Sequence, residues 1–331
     1  MIKTKIEINK LGNLPDSEMR LSELFITLSS ALDMGNVEVL DHSRRVAYIA
    51  LELSEQMGLD IKEKNKIVLA ALIHDIGIAD QGNKEKAQNL FEIELDIVEA
   101  HCKLGAELTR NLTFIPDLSD IIYYHHHKWD GENFDQLSGC QIPLASRIIH
   151  LADRIESLID TETFILHQIR NILSSIKAKA GSWFDPELVA VFLEVSKKES
   201  FWLNLTAKEY NHILENWGKE TRANINLSDL ESLASIVAHL IDRVSPFTSR
   251  HSSGVATIAS MITHELDYNL HEQRAMRIAG LFHDLGKLIV PIGILEKKVE
   301  LTDDEYKIIK QHPYYTYRLL NKIQGLGSIP E

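Results

Sequence analysis

Apolar residues recur at spacings of three and four along most of the chain, as in LSELFITLSSALDM, VAYIALELSEQMGL and KIVLAALIHDIG. That is the period of helices with one buried face. Strand-like alternation is scarce. Breaks fall at Gly58, Gly77 to Gly82, Pro116, Gly131 to Pro143 and Gly181 to Pro186, each an ordinary helix stop or loop. The pattern predicts an all-α fold, a helical bundle. Between about 199 and 228 aromatics mix with polar residues, in FWLNLTAKEYNHILENWGKETRANINLSDL. This stretch is expected to bridge two domains, its aromatics serving packing rather than a ligand.

A shift of 209 residues lays the chain on itself. Asp33 falls on Asp242, His42 on His251, Ser43 on Ser252, Val46 on Val255, Ala47 on Ala256, Ala70 on Ala279 and Leu72 on Leu281. His74, Asp75 and Gly77 fall on His283, Asp284 and Gly286. EAHCKLGAEL around His101 then matches KQHPYYTYRL around His312 after a two-residue slip. In the first copy a His pair, His125 and His126, follows His101 by 24 residues, and Asp153 follows it by 52. The equivalents after His312 would lie near 336 and 364, past Glu331, so the second copy is expected to be the N-terminal half of a module. The expected division is an N-terminal segment 1–21, a first domain 22–198, a linker-helix region 199–228 and the half copy 229–331. Lacking its covering helices, the half copy is expected to pack against the first copy or a second molecule.

Composition narrows the function without naming it. At 331 residues, 44% hydrophobic and 25% charged, the chain is ordinary globular protein. A net charge of −13 argues against a long nucleic-acid partner, which calls for a basic face, but allows a small anion held by metal. Two cysteines, Cys102 and Cys140, make no disulfide framework. No apolar run reaches membrane-spanning length and MIKTKIEINKLGN has no signal core, so no membrane contact and a cytoplasmic location are expected.

The chemistry-bearing set is Glu38, His42, His74, Asp75, His101, His125, His126 and Asp153. Five imidazoles and three carboxylates without a thiolate suit Fe or Mn, with Zn or Ni allowed. Glu38 and His42, four apart on a helix, share a face. His74 and Asp75 end an apolar helix and point about 100° apart at 3.6 residues per turn, so the aspartate can bridge two ions while the histidine holds one. Each of these residues alone has an ordinary packing role; the repeated spacing is what argues for a site. Arg45 in HSRRV and Arg147 in ASRII are candidates to contact phosphate or support the ligands.

HSRRV, HDIG, EAH, HH and LAD in this order resemble the HD superfamily, and HHHKWDG followed by IPLASRIIHLAD resembles its HD-GYP branch. The resemblance covers about 22–160 well and 230–325 in part. It implies an all-helical fold, two or three divalent metal ions in the first domain, and hydrolysis of cyclic dinucleotides, usually cyclic di-GMP. It also implies that the eight residues above are the metal ligands, with Glu38 pointing to a three-metal form, and that His74 and Asp75 are central to catalysis. Three divalent ions would outweigh three carboxylates and favour an anionic phosphodiester. Diguanylate cyclase-type signalling partners and a homodimer are further expectations of the resemblance.

The chain departs from the branch where GYP is replaced by Asn133, Phe134 and Asp135, and where Ile78 replaces the lysine of HDIGK. The second copy keeps Lys287 in HDLGK but has Phe247 at the glutamate position, and weak or no metal binding is expected there. Three functions are open from sequence: a cyclic-dinucleotide phosphodiesterase, a phosphohydrolase for another nucleotide, and a signalling module that holds metal without turnover.

Overall fold

A computed structural model describes residues 20–34, 41–78, 95–221, 225–244, 251–326 and 329. The expected all-α class holds. Among the described residues extended pairing is confined to one isolated bridge, Ala180 to Phe184. The chain divides into two compact units, residues 39–220 and, from both sequence ends, residues 1–38 with 221–331.

The 39–220 unit is built on α2 (His42–Gln56) and α3 (Ile61–Leu72). Val46, Ala47, Ile49, Ala50 and Leu53 of α2 and Ile67, Val68, Ala70, Ala71 and Leu72 of α3 are sealed from water, as their periodicity requires. Asp60 starts α3, its carboxylate accepting from the amides of Lys62 at 2.9 Å and Glu63 at 3.0 Å. Next come α4 (Leu95–Thr109), α5 (Leu118–Tyr123) and α6 (Leu144–Ser157). Ser146 Oγ donates to the Ile121 carbonyl at 2.9 Å, tying α6 to α5. The unit continues through α7 (Ile165–Ala178), α8 (Pro186–Val195), α9 (Glu199–Thr206) and α10 (Tyr210–Glu220).

The stretch read as a bridge therefore begins as part of this unit's core. Phe201, Trp202 and Tyr210 are buried, Tyr210 donates to Asp41 at 2.8 Å, and Trp217 donates to Asn65 at 3.0 Å. Its aromatics pack, as expected.

The other unit contains α1 (Leu21–Met34), α11 (Leu227–Val244), α12 (His251–Glu265), α13 (Leu270–Phe282), a 3-10 turn Leu285–Ile289, α14 (Ile292–Leu295), α15 (Asp303–Ile309) and α16 (His312–Leu320). Sequence grouped α1 with the first copy; here it packs on the 3-10 turn and α16, and Glu23 accepts from the Gln324 amide at 2.7 Å. The physical reason is its apolar stripe, Leu21, Leu24, Phe25 and Leu28, all buried. On α12, Ile258 and Ile262 are 60% and 54% exposed, whereas their shifted counterparts Ile49 and Leu53 are fully buried.

Candidate metal centre

Asp75 lies at the centre of an imidazole cluster in the 39–220 unit. It follows α3 in a tight turn that comes unusually close to α4. A Cβ on Gly77 would lie 2.0 Å from the His101 carbonyl oxygen and 2.6 Å from the Gly105 amide nitrogen, so that approach requires glycine. The Asp75 Oδ2 atom faces His42 Nε2 at 3.7 Å and His74 Nε2 at 3.5 Å. Its Oδ1 faces His101 Nε2 at 3.8 Å and His125 Nε2 at 3.7 Å. One carboxylate thus looks both ways between two imidazole groups, and His126 closes the second of them.

Asp153, on α6, closes the first group: its Oδ1 is 3.4 Å from His42 Nε2 and 3.9 Å from His74 Nε2, while its Oδ2 is 3.9 Å from His126 Nδ1. Seven of the eight expected ligands are therefore together. Glu38, and Phe247 of the second copy, lie outside the described residues.

The imidazoles are aimed by their far nitrogens. Nδ1 of His74 lies 2.8 Å from the Ala71 carbonyl, and Nδ1 of His125 lies 2.6 Å from the Ile122 carbonyl, which fixes Nε2 of each as the atom turned to the cluster. His42 is aimed by Glu156, a residue that the sequence reading did not single out: Nδ1 and Oε2 are 2.5 Å apart. Glu156 also accepts from Arg45 Nε at 2.6 Å, with a second close contact to the same guanidinium. Arg45 thus supports a ligand through Glu156. Arg147 donates to the Ile142 carbonyl at 3.0 Å, pairs with Asp185, the N-cap of α8, and lies over the Trp129 ring. Its donors are taken up by the fold rather than by the imidazole cluster.

The electrostatics suit a cation site. Burial opposes charge on both aspartates, yet the surrounding imidazoles, joined at Asp153 by the Arg154 guanidinium, hold Asp75 and Asp153 below the usual carboxylate range. Burial also opposes protonation of His42, but Glu156 and Asp153 outweigh it and raise its pKa well above the usual value. Burial, with neighbouring imidazoles and Arg154, pushes His126 well down. Cys102 Sγ is 3.7 Å from both His101 Nε2 and His125 Nδ1; against the burial penalty, those imidazoles bring its thiol down to about 6.

The donor set fits divalent metal. His74 Nε2 and Asp153 Oδ2 are shut from water with no hydrogen-bond partner, which is costly unless something else satisfies them. Ligand atoms of Asp75, His101, His125 and His126 lie within 4.8 Å of one another, as do those of His42, His74 and Asp75.

The loop in place of GYP is closed by its own side chains. Asn133 accepts from the Lys128 amide at 2.7 Å and donates to the carbonyls of Lys128 and Leu137; Asp135 pairs with His127 Nε2 at 2.8 Å; Phe134 packs on Tyr123 and His127.

The second unit repeats the core of this geometry in a more open form. Asp284 Oδ2 faces His283 Nε2 at 3.1 Å and His251 Nε2 at 3.8 Å, and Oδ1 faces His312 Nε2 at 3.3 Å. Lys287 Nζ is 2.7 Å from Asp284 Oδ2, and the His251 side chain is 45% exposed. Gly286 approaches His312 as Gly77 approaches His101, with the same 2.0 Å for an added Cβ.

A helical unit with a His-Asp turn packed against a further histidine, present twice, belongs to one class: the chain is a member of the HD domain family, metal-dependent phosphohydrolases. HD domain families match residues 39–158 and 235–331. The chain is similar to 3'3'-cGAMP-specific phosphodiesterase 1 of Vibrio cholerae, 30% identical over 325 residues, which is 95% of this chain and 74% of that protein. 3'3'-cGAMP-specific phosphodiesterase 3 of the same organism is 26% identical, covering 93% and 77%. A cyclic di-GMP phosphodiesterase of Thermotoga maritima is 26% identical over 184 residues, 54% of this chain and 50% of that one. A crystal structure of a cyclic GMP-AMP specific phosphodiesterase of V. cholerae superposes with a TM-score of 0.70 at 26% identity, covering 92% of this chain and 80% of that one. No helix among the described residues is long and apolar enough to cross a membrane.

Proposed function

We propose that this chain is a cyclic-dinucleotide phosphodiesterase whose 39–220 unit holds two divalent ions on either side of Asp75. The observation that carries the reading is the two-sided placement of that carboxylate, Oδ2 toward His42 and His74, Oδ1 toward His101 and His125. His42, His74, Asp75 and Asp153 would hold one ion, and Asp75, His101, His125 and His126 the other. Fe or Mn suits this hard-to-borderline set. Bound there, such ions polarise a phosphoryl oxygen and lower the pKa of water enough to make a nucleophile at neutral pH. The chain's own contribution is preorganisation: Glu156 engages His42 Nδ1 and so leaves Nε2 as the atom turned to the cluster, backbone carbonyls do the same for His74 and His125, and the buried imidazoles limit the access of bulk water. The relatives' names support a substrate with 3'-5' phosphodiesters between two nucleosides.

A second reading sets turnover at Asp284, and Lys287 beside it favours this, since the first copy has Ile78 there. Both are tested by anaerobic purification, metal analysis and incubation with 3'3'-cGAMP, cyclic di-GMP and cyclic di-AMP, products being read by mass spectrometry. Loss of turnover in Asp75→Ala with retention in Asp284→Ala supports the first reading. The converse supports the second. Bound metal with no linear or mononucleotide product from any substrate would leave a metal-holding signalling module.

A further inference from the structure

Next to Asp153 on α6 stands a buried arginine that the fold does not use up. Arg154 is 3% exposed. Its Nε and Nη1 are shut from water and have no hydrogen-bond partner. Its Nη2 reaches only to His126 Nδ1 at 3.4 Å, and the closest carboxylate oxygen, Asp153 Oδ2, stands 3.7 Å from Nε, beyond hydrogen-bonding range. Asp153 Oδ2 is itself without a hydrogen-bond partner. The unit's other cluster-side arginines behave differently, Arg45 being forked onto Glu156 and Arg147 held by Asp185 and the Ile142 carbonyl.

A guanidinium buried with open donors is destabilising by itself, and cations bound at His126 and Asp153 would add repulsion. An anion in the site removes both costs. The surroundings point the same way. The Arg154 guanidinium lies 5.9 Å from the centre of the Trp183 ring, with Lys179 Nζ at 4.6 Å over the same indole and Lys128 Nζ, itself paired with Glu132 at 2.8 Å, at 5.1 Å. The Trp129 and Asp130 amides donate to the carbonyls of Trp183 and Ser182, at 3.1 and 2.9 Å, which ties the Trp183 turn to the loop that follows His125 and His126.

We propose that Arg154 is a substrate-binding residue, its open Nε and Nη1 donors taking oxygens of the substrate phosphate at the His126–Asp153 end of the site, with Lys179 beside Trp183 drawing the anion in. The proposal rests on the phosphodiesterase reading for its substrate but on phosphate binding for its test. A planar fork matches a phosphate in a way that a point charge does not.

The test uses the full chain loaded with zinc, and inorganic phosphate as the probe. Arg154→Met is expected to keep the metal content of the wild type, read by plasma mass spectrometry, and to bind phosphate about 10- to 100-fold more weakly by calorimetry, the loss of a charge-assisted pair. Arg154→Lys should recover part of that. Phosphate affinity within twofold of wild type in Arg154→Met, with metal intact, overturns the proposal. So does metal loss with unchanged affinity per bound ion. Should the methionine variant not fold, the arginine Nε–H NMR signals of the wild type decide. The resonance missing from Arg154→Lys must shift on phosphate titration, and a resonance that stays put refutes it. If the wild type binds phosphate through Arg154 but turns over no cyclic dinucleotide, the activity reading falls and this proposal stands. If cyclic dinucleotides are hydrolysed with unaltered KM and kcat in Arg154→Met, the reverse holds.

Discussion

Glu156→Gln tests whether a carboxylate behind His42 prepares the site. In the wild type Glu156 accepts from both His42 and Arg45 and its side chain is 7% exposed, so glutamine keeps the volume and removes the charge. Two effects follow. Without metal, Arg45 loses its ionic partner in a half-buried place, a loss of about 1–3 kcal/mol when hydrogen bonding is partly retained. With metal, His42 loses the group that fixes its tautomer and raises its basicity, and such supporting carboxylates are worth about 10- to 100-fold in affinity, or about 1.4–2.7 kcal/mol.

The pH dependence carries the sign. His42 is raised well above the usual imidazole value, chiefly by Glu156 once burial is overcome, so in the metal-free protein the pair stabilises fully below about pH 6.5 and is lost as pH rises through the raised value. Metal must displace that proton, so wild-type affinity should climb with pH across the same window. In Glu156→Gln the climb should start at lower pH and level off at weaker affinity. Calorimetric Mn²⁺ titration from pH 6 to 9, with urea denaturation of the metal-free forms, measures both. An unchanged plateau and unchanged pH profile would refute the reasoning. Arg45→Met should cost stability while leaving affinity within a few-fold, and the double variant should be non-additive.

Asp75→Ala, made in an Asp284→Ala background, should empty both halves of the cluster together, because its two oxygens face different imidazole pairs; one ion retained per chain would contradict a shared ligand. Gly77→Ala should lower stability by about 2–4 kcal/mol, read by denaturation, and weaken metal binding, since the new methyl group meets backbone of α4 that cannot swing away; a shift under about 0.5 kcal/mol would count against the close approach. His150 is driven down to about 3 by burial and by Arg154, and its Nδ1 lies 3.0 Å from the His127 carbonyl. Its neutral form therefore stabilises above pH 6.5 and that contribution is lost as pH falls toward 3, costing about 2 kcal/mol at pH 5. His150→Gln should flatten the acid limb of stability between pH 6.5 and 5, and an equally steep limb would speak against it.

The ligands were legible because their chemistry and spacing both survive in one dimension: His74 and Asp75 ending an apolar helix, His101 beyond it, and a shift of 209 that repeats the pattern. Glu156 and Arg154 were not, since a charged residue on a helix ordinarily faces water and nothing in LADRIES announces burial. Glu156 did leave a signal, standing three residues past Asp153 and hence on its side of the helix. Arg147 looked equally available, but its partner Asp185 is 38 positions away, and no local pattern links them. Periodicity revealed that α1 has a face to bury. It carried no information on which of two similar modules would receive it.

That destination has a consequence during synthesis. Leu21, Leu24, Phe25 and Leu28 are among the first described residues to leave the ribosome, while the 3-10 turn at 285–289 and α16 that cover them are among the last. Residues 39–220 form a contiguous unit and can finish folding meanwhile. That helix must therefore wait, greasy side outward, while the intervening residues are made, and closing so long a loop is slow. A nascent chain halted after residue 220 should hold a protease-resistant 39–220 core behind a helix that chaperones still bind.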